Sequence, residues 1–314
     1  MQVILGIDTS NYTTSAALVD CAGGEVIAAT AKLLPVKDGE RGLRQSDALF
    51  HHTQALPEIV KEVYRGIDAE TVAVAVSEKP AEQEGSYMPC FLAGVNAAVV
   101  SAQALVVPLF TTSHQVGHIL ACLYGCGRLE TMQSNFVCFH VSGGTTDALL
   151  VKPAADLLCV ERVAKSADLK AGQAVDRIGV KMGLAFPAGK ELEALALKSD
   201  KHYKKRASLK GADCSLSGLE NLAAAMLAAG ESKEDTAKFT FDYLANTLQA
   251  MSESLQERYG RLPLFFAGGV MSNTIIKNQL SSALGASFCP PAYARDNAAG
   301  IALYGYLQWK NLRN

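Results

Sequence analysis

His114 and His118, in the stretch "TTSHQVGHILACLYG" (residues 111–125), stand four positions apart. On an α-helix that spacing puts both side chains on one face, with Cβ atoms roughly 6 Å apart. Two imidazoles so placed can grip one metal ion. From Gly85 to Gly127 there is no Asp, Glu, Lys or Arg, and an uncompensated polar pair in such apolar surroundings is costly. A helix pair satisfied by backbone or water is the bland alternative. The residue after His114 is Gln115, where a metalloprotease helix needs a glutamate as general base. A metal here would therefore bind and polarise a ligand instead of activating water for peptide cleavage. His140 ends an apolar run two residues before Ser142, so the two share a face of a strand, and it is a candidate third ligand. Asp296, in "ARDNAAG" at the head of the last helix, is a candidate fourth. It could equally cap that helix or serve as a first-turn carboxylate, and spacing alone does not join it to the histidines.

Two glycine pairs follow apolar strands, in "VSGGTT" (141–146) and "AGGVMSN" (267–273). Without a Cβ the backbone can approach a ligand closely and aim N–H groups at phosphate. Taken singly, each is an ordinary strand-end turn. Together they point to a nucleotide cleft.

These groups need elements to hold them. "VILGID", "TTSAALVD" and "EVIAATAKLL" read as three strands joined by short turns. A helix over 46–64, a strand "TVAVAVS" and an uncharged, buried helix over 91–110 come next. The opening pattern then recurs as "NFVCFHVSGG", "TTDALLVKP" and "LLCVERVA". Helices over 170–182, 188–198, 217–230 and 233–259 follow, then a strand "LPLFFAGG" running into a helix, and a last helix after Arg295. One meander used twice, each time followed by helices, predicts two α/β lobes with a central cleft.

Composition bounds the rest. The chain has 314 residues, 49% of them hydrophobic, enough for two domains. A formal net charge of −2 advertises no polyanion partner overall. One local patch does: "LKSDKHYKKRASLK", with Lys198, Lys201, Lys204, Lys205, Arg206 and Lys210 around Tyr203, could bind RNA phosphates or simply be a solvated loop. Eight cysteines without a Cys-x-x-Cys pair read as reduced core thiols of a cytoplasmic protein. "MQVILGID" reads as a first strand, not a signal peptide, and the polar residues inside 91–110 argue against a membrane span.

"LGIDTS", the histidine helix, "VSGGTT", "AGQAVDRIGVKMGLAFPAG", "SLSGL", "AGGVMSN" and "RDNAAGIA" occur in an order that resembles the tRNA threonylcarbamoyladenosine synthase family (TsaD/Gcp, the glycoproteases). The resemblance runs over nearly the whole chain. It implies the actin-like ATPase and sugar-kinase superfamily fold, with duplicated RNase H-like lobes: an N-terminal lobe over 1–110, completed by a C-terminal helix at 295–314, and a C-terminal lobe over 111–294. It implies an iron or zinc ion on His114, His118 and Asp296, with His140 in the place of a tyrosine that joins the metal in some members. It implies an adenine nucleotide or acyl-adenylate on Val141, Ser142, Gly143, Gly144, Thr145, Asp176, Gly189 and Asn273, and catalytic roles for Asp8 and Ser142. The activity implied is transfer of a threonylcarbamoyl group from its adenylate to an adenosine amine of tRNA. The partners implied are tRNA, a paralogous TsaB-like subunit and a small ATPase subunit.

The chain also departs from that pattern. The family's Cys-Asp-Glu-Thr run is replaced by Asn11, Tyr12, Thr13 and Thr14, and Gln173 stands where the family has glutamate. These departures allow an alternative: a divergent paralogue that binds nucleotide and metal but serves another acceptor, or acts as a non-catalytic partner.

Overall fold

A computed structural model describes residues 1–10, 12–35, 43–294 and 298–313. Strands β1 (Gln2–Ser10), β2 (Thr13–Asp20) and β3 (Val26–Leu33) form an antiparallel meander. Helix α1 (Gln45–Val63), β4 (Glu70–Lys79), α2 (Phe91–Leu105) and β5 (Leu109–Ser113) follow, and α3 (His114–Gly125) starts directly from β5. The sheet order is β3-β2-β1-β4-β5, with β4 parallel to both β1 and β5. Central strand β1 is buried on both faces, which is why "VILGID" reads as a nearly continuous apolar run. Val3, Leu5 and Ile7 pack with Leu56, Ile59 and Val63 of α1 and with Ala93, Ala98 and Ala102 of α2.

The pattern then repeats. Strands β6 (Phe136–Val141), β7 (Thr146–Ala154) and β8 (Leu157–Lys165) precede α4 (Ala171–Lys181) and α5 (Gly189–Ala196). A two-residue pair, β9 (Leu209–Lys210) and β10 (Asp213–Cys214), precedes α6 (Ser217–Ala228) and the long α7 (Lys233–Tyr259). Strand β11 (Leu264–Ala267), α8 (Thr274–Leu284), β12 (Ser287–Phe288) and α9 (Ala299–Asn311) complete the chain. The second sheet has the order β12-β11-β6-β7-β8, the same plan as the first: a meander with two further strands beside its first member.

The chain divides into two compact units: Met1–Leu129 with Ala154–Cys159 and Arg295–Asn314, and Glu130–Pro153 with Val160–Ala294. A boundary at 110/111 would put α3 in the second lobe. In the structure α3 packs on α9 within the first unit, so His114 and His118 belong there.

Three further expectations change. The run 91–110 is not one helix. Val106 takes a left-handed conformation (φ 57°), Pro108 follows, and the chain turns into β5 paired with β4. Nor is α2 wholly buried: Val100 is 68% and Leu105 52% exposed. The last helix begins at Ala299, and both Asp296 and Asn11 lie outside the described residues. All eight cysteines are free, as expected, but Cys159 is exposed, so they are not all core thiols. Among the described residues, no helix is long and apolar enough to cross a membrane.

Candidate functional site

The histidine helix is positioned from both ends. Ser113 caps its N-terminus, its hydroxyl accepting the Val116 N–H at 3.2 Å, so His114 is the first helical residue and His118 lies one turn on. Against its side runs α9. A Cβ on Gly300 would lie 1.8 Å from the Gly117 carbonyl oxygen, and one on Gly117 would lie 2.6 Å from Ile301 Cδ1. The α9 backbone can approach α3 this closely only because Gly300 lacks a side chain, while Gly117 leaves room for the Ile301 side chain. Gly117 sits between the two histidines, so the contact fixes the level of the imidazole pair.

Asp8 then orients the first ring. It is fully buried on β1. Its Oδ2 accepts from Ser10 Oγ at 2.8 Å and lies 3.1 Å from His114 Nδ1, while Ser77 Oγ donates to Oδ1. Burial by itself would raise this carboxyl, but His114 and the two hydroxyls hold it below the ordinary carboxylate range. An ionised carboxylate only accepts hydrogen bonds, so His114 Nδ1 carries a proton, which leaves Nε2 as the ring atom that a metal ion would take. That Nε2 faces His118 Nε2 at 2.9 Å, with the rings at 81°. For metal–nitrogen bonds of about 2.0–2.1 Å, two ligand atoms around one ion lie roughly 2.9 Å apart at a right angle, as in an octahedral site, and roughly 3.3 Å apart at the tetrahedral angle of zinc. The pair thus fits two positions on a shared ion, with a carboxylate behind the first ring as is usual for metal-bound histidine. Among the described residues no group of three or more His, Cys, Asp or Glu side chains gathers around one point, and Asp296 lies outside them. His140, on β6 of the second unit, faces Asp147 across the β6–β7 pair. Asp147 was not singled out from sequence. It is 8% exposed, burial pushes its carboxyl up, and Arg162 approaches it at 3.7 Å.

The remaining expected ligands converge within the second unit. Strands β6 and β11 are parallel neighbours, so the loops after them leave from the same edge, where open α/β sheets bind ligands. Gly268 has φ 100°, and a Cβ there would strike the Val141 carbonyl oxygen at 2.3 Å, so only glycine lets the two loops touch. A Cβ on Gly172 would come within 2.7 Å of Gly143 N and Cα, which locks α4 against the first loop. Gly143 and Gly144 face open space. Ser142 organises this turn: its Oγ accepts the Gly144 and Thr145 N–H groups, both at 3.2 Å, and pairs with Thr145 Oγ1 at 2.8 Å. Two N–H groups expected to face a phosphate are therefore turned onto a side chain.

Asp176 accepts the Ala188 N–H at 2.9 Å, which brings Asp176 and Gly189 together. Burial raises the Asp176 carboxyl, and that hydrogen bond offsets it only in part. Asn273 caps α8 through Oδ1, which accepts from Ile276 N at 3.0 Å. Its Nδ2 is buried with no partner among the described residues, a donor available to a ligand. Glu193, missed in the sequence, accepts from Thr274 N at 2.7 Å and Thr274 Oγ1 at 2.6 Å at the same helix start. Gln173, read as a lost carboxylate, takes a structural part, its Oε1 lying 3.4 Å from the Lys170 N–H at the start of α4.

The open space at Gly143 makes a sharp expectation. Gly143→Val should still fold, because a Cβ at this position has no other heavy atom within 4 Å. It should bind AMP or ATP at least about tenfold more weakly, because the side chain occupies the approach to the loop. Calorimetry on the folded variant decides; unchanged affinity would remove this loop from the site.

A family model described as tRNA N6-adenosine threonylcarbamoyltransferase matches residues 36–303. A probable bifunctional tRNA threonylcarbamoyladenosine biosynthesis protein of Methanothermobacter thermautotrophicus is 29% identical over 98% of this chain, which spans 56% of that relative's length. A tRNA N6-adenosine threonylcarbamoyltransferase of Archaeoglobus fulgidus is 28% identical over 98% of this chain and 92% of its own. Among solved structures, component A of the (R)-2-hydroxyglutaryl-CoA dehydratase of Acidaminococcus fermentans superposes with a TM-score of 0.59 at 14% identity, covering 98% of this chain and 99% of its own. A ROK family protein of Streptococcus pneumoniae gives 0.55 at 13% identity, covering 99% of each. At such identities the likeness shows the fold alone.

Proposed function

The chain belongs to the tRNA N6-adenosine threonylcarbamoyltransferase family, and from that premise we propose that it transfers a threonylcarbamoyl group from its adenylate to an adenosine amine in tRNA, using one iron or zinc ion. The observation that carries the reading is the Asp8–His114–His118 array, whose two histidines stand on one helix within the span that matches the family model. His114 and His118 would hold the ion, with Asp296 and His140 as the further ligands the resemblance implies. When bound, the ion supplies Lewis acidity toward an acyl oxygen. Asp8 acts through His114 as a positioning residue: it is buried and its carboxylate is shared among three donors, which suits orientation better than proton transfer. Ser142 shapes the adenylate loop. Val141 to Thr145, Asp176, Gly189 and Asn273 bind the nucleotide, with the Asn273 Nδ2 donor as the group left for it. A paralogous TsaB-like subunit and a small ATPase subunit complete the assembly, and its place is the cytoplasm.

One observation favours the second reading, a paralogue with another acceptor or a non-catalytic role. Where the family's Cys-Asp-Glu-Thr run carries its two acidic residues stand Tyr12, half-buried, and Thr13, 6% exposed, while Thr14 takes the place of the family's own threonine. Neither side chain at the acidic positions carries a carboxylate. Loss of a positioned acid–base group costs roughly 100- to 10,000-fold in rate. We therefore expect the isolated chain, given tRNA and threonylcarbamoyl-adenylate, to modify tRNA poorly, and a TsaB-like partner to restore the reaction. Nucleoside mass spectrometry of reconstituted reactions decides. Robust modification by the chain alone would overturn the account of Asn11 to Thr14. No modification with any partner would leave the paralogue reading in its place.

A further inference from the structure

We propose that the segment Ser199–Lys210 is a rigid cationic strap that binds the phosphate backbone of RNA. The inference rests on the reading that the acceptor is tRNA, and adds where this chain would hold it.

Residues 201–208 form neither helix nor strand, yet their backbone is tied down along α7. Tyr203 N–H donates to Asp242 Oδ2 at 2.9 Å, and Asn246 Nδ2 donates to the carbonyls of Tyr203 at 2.7 Å and Lys205 at 3.2 Å. Ala207 N–H donates to Thr247 Oγ1 at 3.0 Å, and Ser199 Oγ to Asp235 at 2.6 Å. The Tyr203 ring packs edge-on against Phe239 with centroids 5.3 Å apart. Its hydroxyl is buried, so the ring points into the fold while its basic neighbours stay outside. The anchor keeps its own charge balance, because buried Asp242 pairs with buried Lys238 at 2.5 Å.

The side chains left outside are Lys204, Lys205, Arg206 and Lys210, all exposed. None has a carboxylate partner among the described residues. Lys201 does, with Glu231 at 3.1 Å and Asp235 at 2.9 Å. Lys204 and Arg206 line an open concavity of about 170 Å³ with Asn246, Gln249, Ala250 and Glu253, and Gln249 donates to Glu253 at 2.9 Å. Two cations outnumber the single carboxylate of Glu253 in this lining, and cations beside amides are the usual set for phosphate and sugar contacts. A protein partner fits less well, since lysine is depleted in protein interfaces and their cores are aromatic and apolar, whereas the one aromatic ring here faces inward. Because the backbone is already ordered, little further conformational entropy is lost when RNA docks.

The test is a charge reversal, K204E/K205E/R206E, at exposed positions, beside a control of equal charge change, K32E/K61E/K310E. Binding to tRNA, to unstructured RNA and to poly-glutamate is measured over a salt series. The strap variant is expected to bind tRNA at least about tenfold more weakly. Its slope of log affinity against log salt should be shallower by roughly two to three, as for the loss of three phosphate contacts. AMP affinity and metal content should match wild type, and the control should bind RNA as wild type does. Wild-type tRNA affinity and slope in the strap variant would overturn the strap and leave the transferase reading standing. Strap-dependent binding of unstructured RNA without tRNA binding would overturn the tRNA reading and keep the strap. Strap-dependent binding of poly-glutamate alone would overturn RNA as the ligand, and absence of all binding by wild type would overturn the strap outright.

Discussion

Replacing both His114 and His118 by alanine is expected to strip the chain of its metal while leaving it folded. The two Nε2 atoms stand 2.9 Å apart, so they serve one ion or none. Removing both takes away the neutral nitrogen donors that iron and zinc favour. His114 is at the first helical position and keeps partial exposure, with 17% of its side chain accessible, so its loss leaves no large cavity. Wild type should carry about one iron or zinc per chain by elemental analysis, and the double variant essentially none. Retention of stoichiometric metal would show that the ion sits elsewhere. Asp8→Asn is the graded companion. An amide oxygen can still accept from Nδ1–H, but the charge behind the ring is gone, and outer-shell changes of this kind typically cost 10- to 100-fold in metal affinity. Competition with a chelator of known affinity measures this without any catalytic assay. Wild-type affinity in a folded Asp8→Asn chain would mean that Asp8 supports β1 and has no part in the metal site.

Gly300→Val should be the most disruptive valine substitution among the described glycines of the first unit. The added Cβ would lie 1.8 Å from the Gly117 carbonyl oxygen, 2.6 Å from its carbonyl carbon and 3.0 Å from Ala121 N. These are backbone atoms, so no rotamer change relieves the clash, and α9 must move off α3. Overpacking a well-packed contact costs about 1–3 kcal/mol, occasionally more. We expect the upper part of that range, read as a fall of several degrees in melting temperature. Because Gly117 lies between the two histidines, metal content should fall too. Gly144→Val, where nothing lies within 4 Å, is the matched control and should melt as wild type does. A Gly300→Val chain with wild-type melting temperature and metal content would show that the helix contact is not what places the histidines.

Fold and site differ in how far they could be read from the chain. The two meanders were readable because buried strands leave apolar runs bounded by turn residues, and that signal is local. The boundary within 91–110 was not, since an uncharged run looks alike whether it is a helix or a helix followed by a buried strand. A left-handed Val106 and the pairing of β5 with β4 separate them. Glycines carried a partial signal. Those of "VSGGTT" and "AGGVMSN" announce close approach, but their partners lie far along the chain, so Gly268 against Val141 and Gly172 against Gly143 could not be told from ordinary turns.

The chain by itself determined the family, the doubled strand plan and the pairing of His114 with His118. Each rests on residues close in sequence or on motif order. The folded molecule decided what those residues do. It put Asp8 behind His114, although 106 positions separate them, and brought Gly117 against Gly300. It turned Tyr203 inward while leaving its neighbouring cations outside, and left the Asn273 amide donor without a partner. Such arrangements arise when distant segments bury one another. Burial leaves a carboxylate, an amide or a helix crossing only the neighbours that the completed packing supplies, and those neighbours are not written in the local sequence.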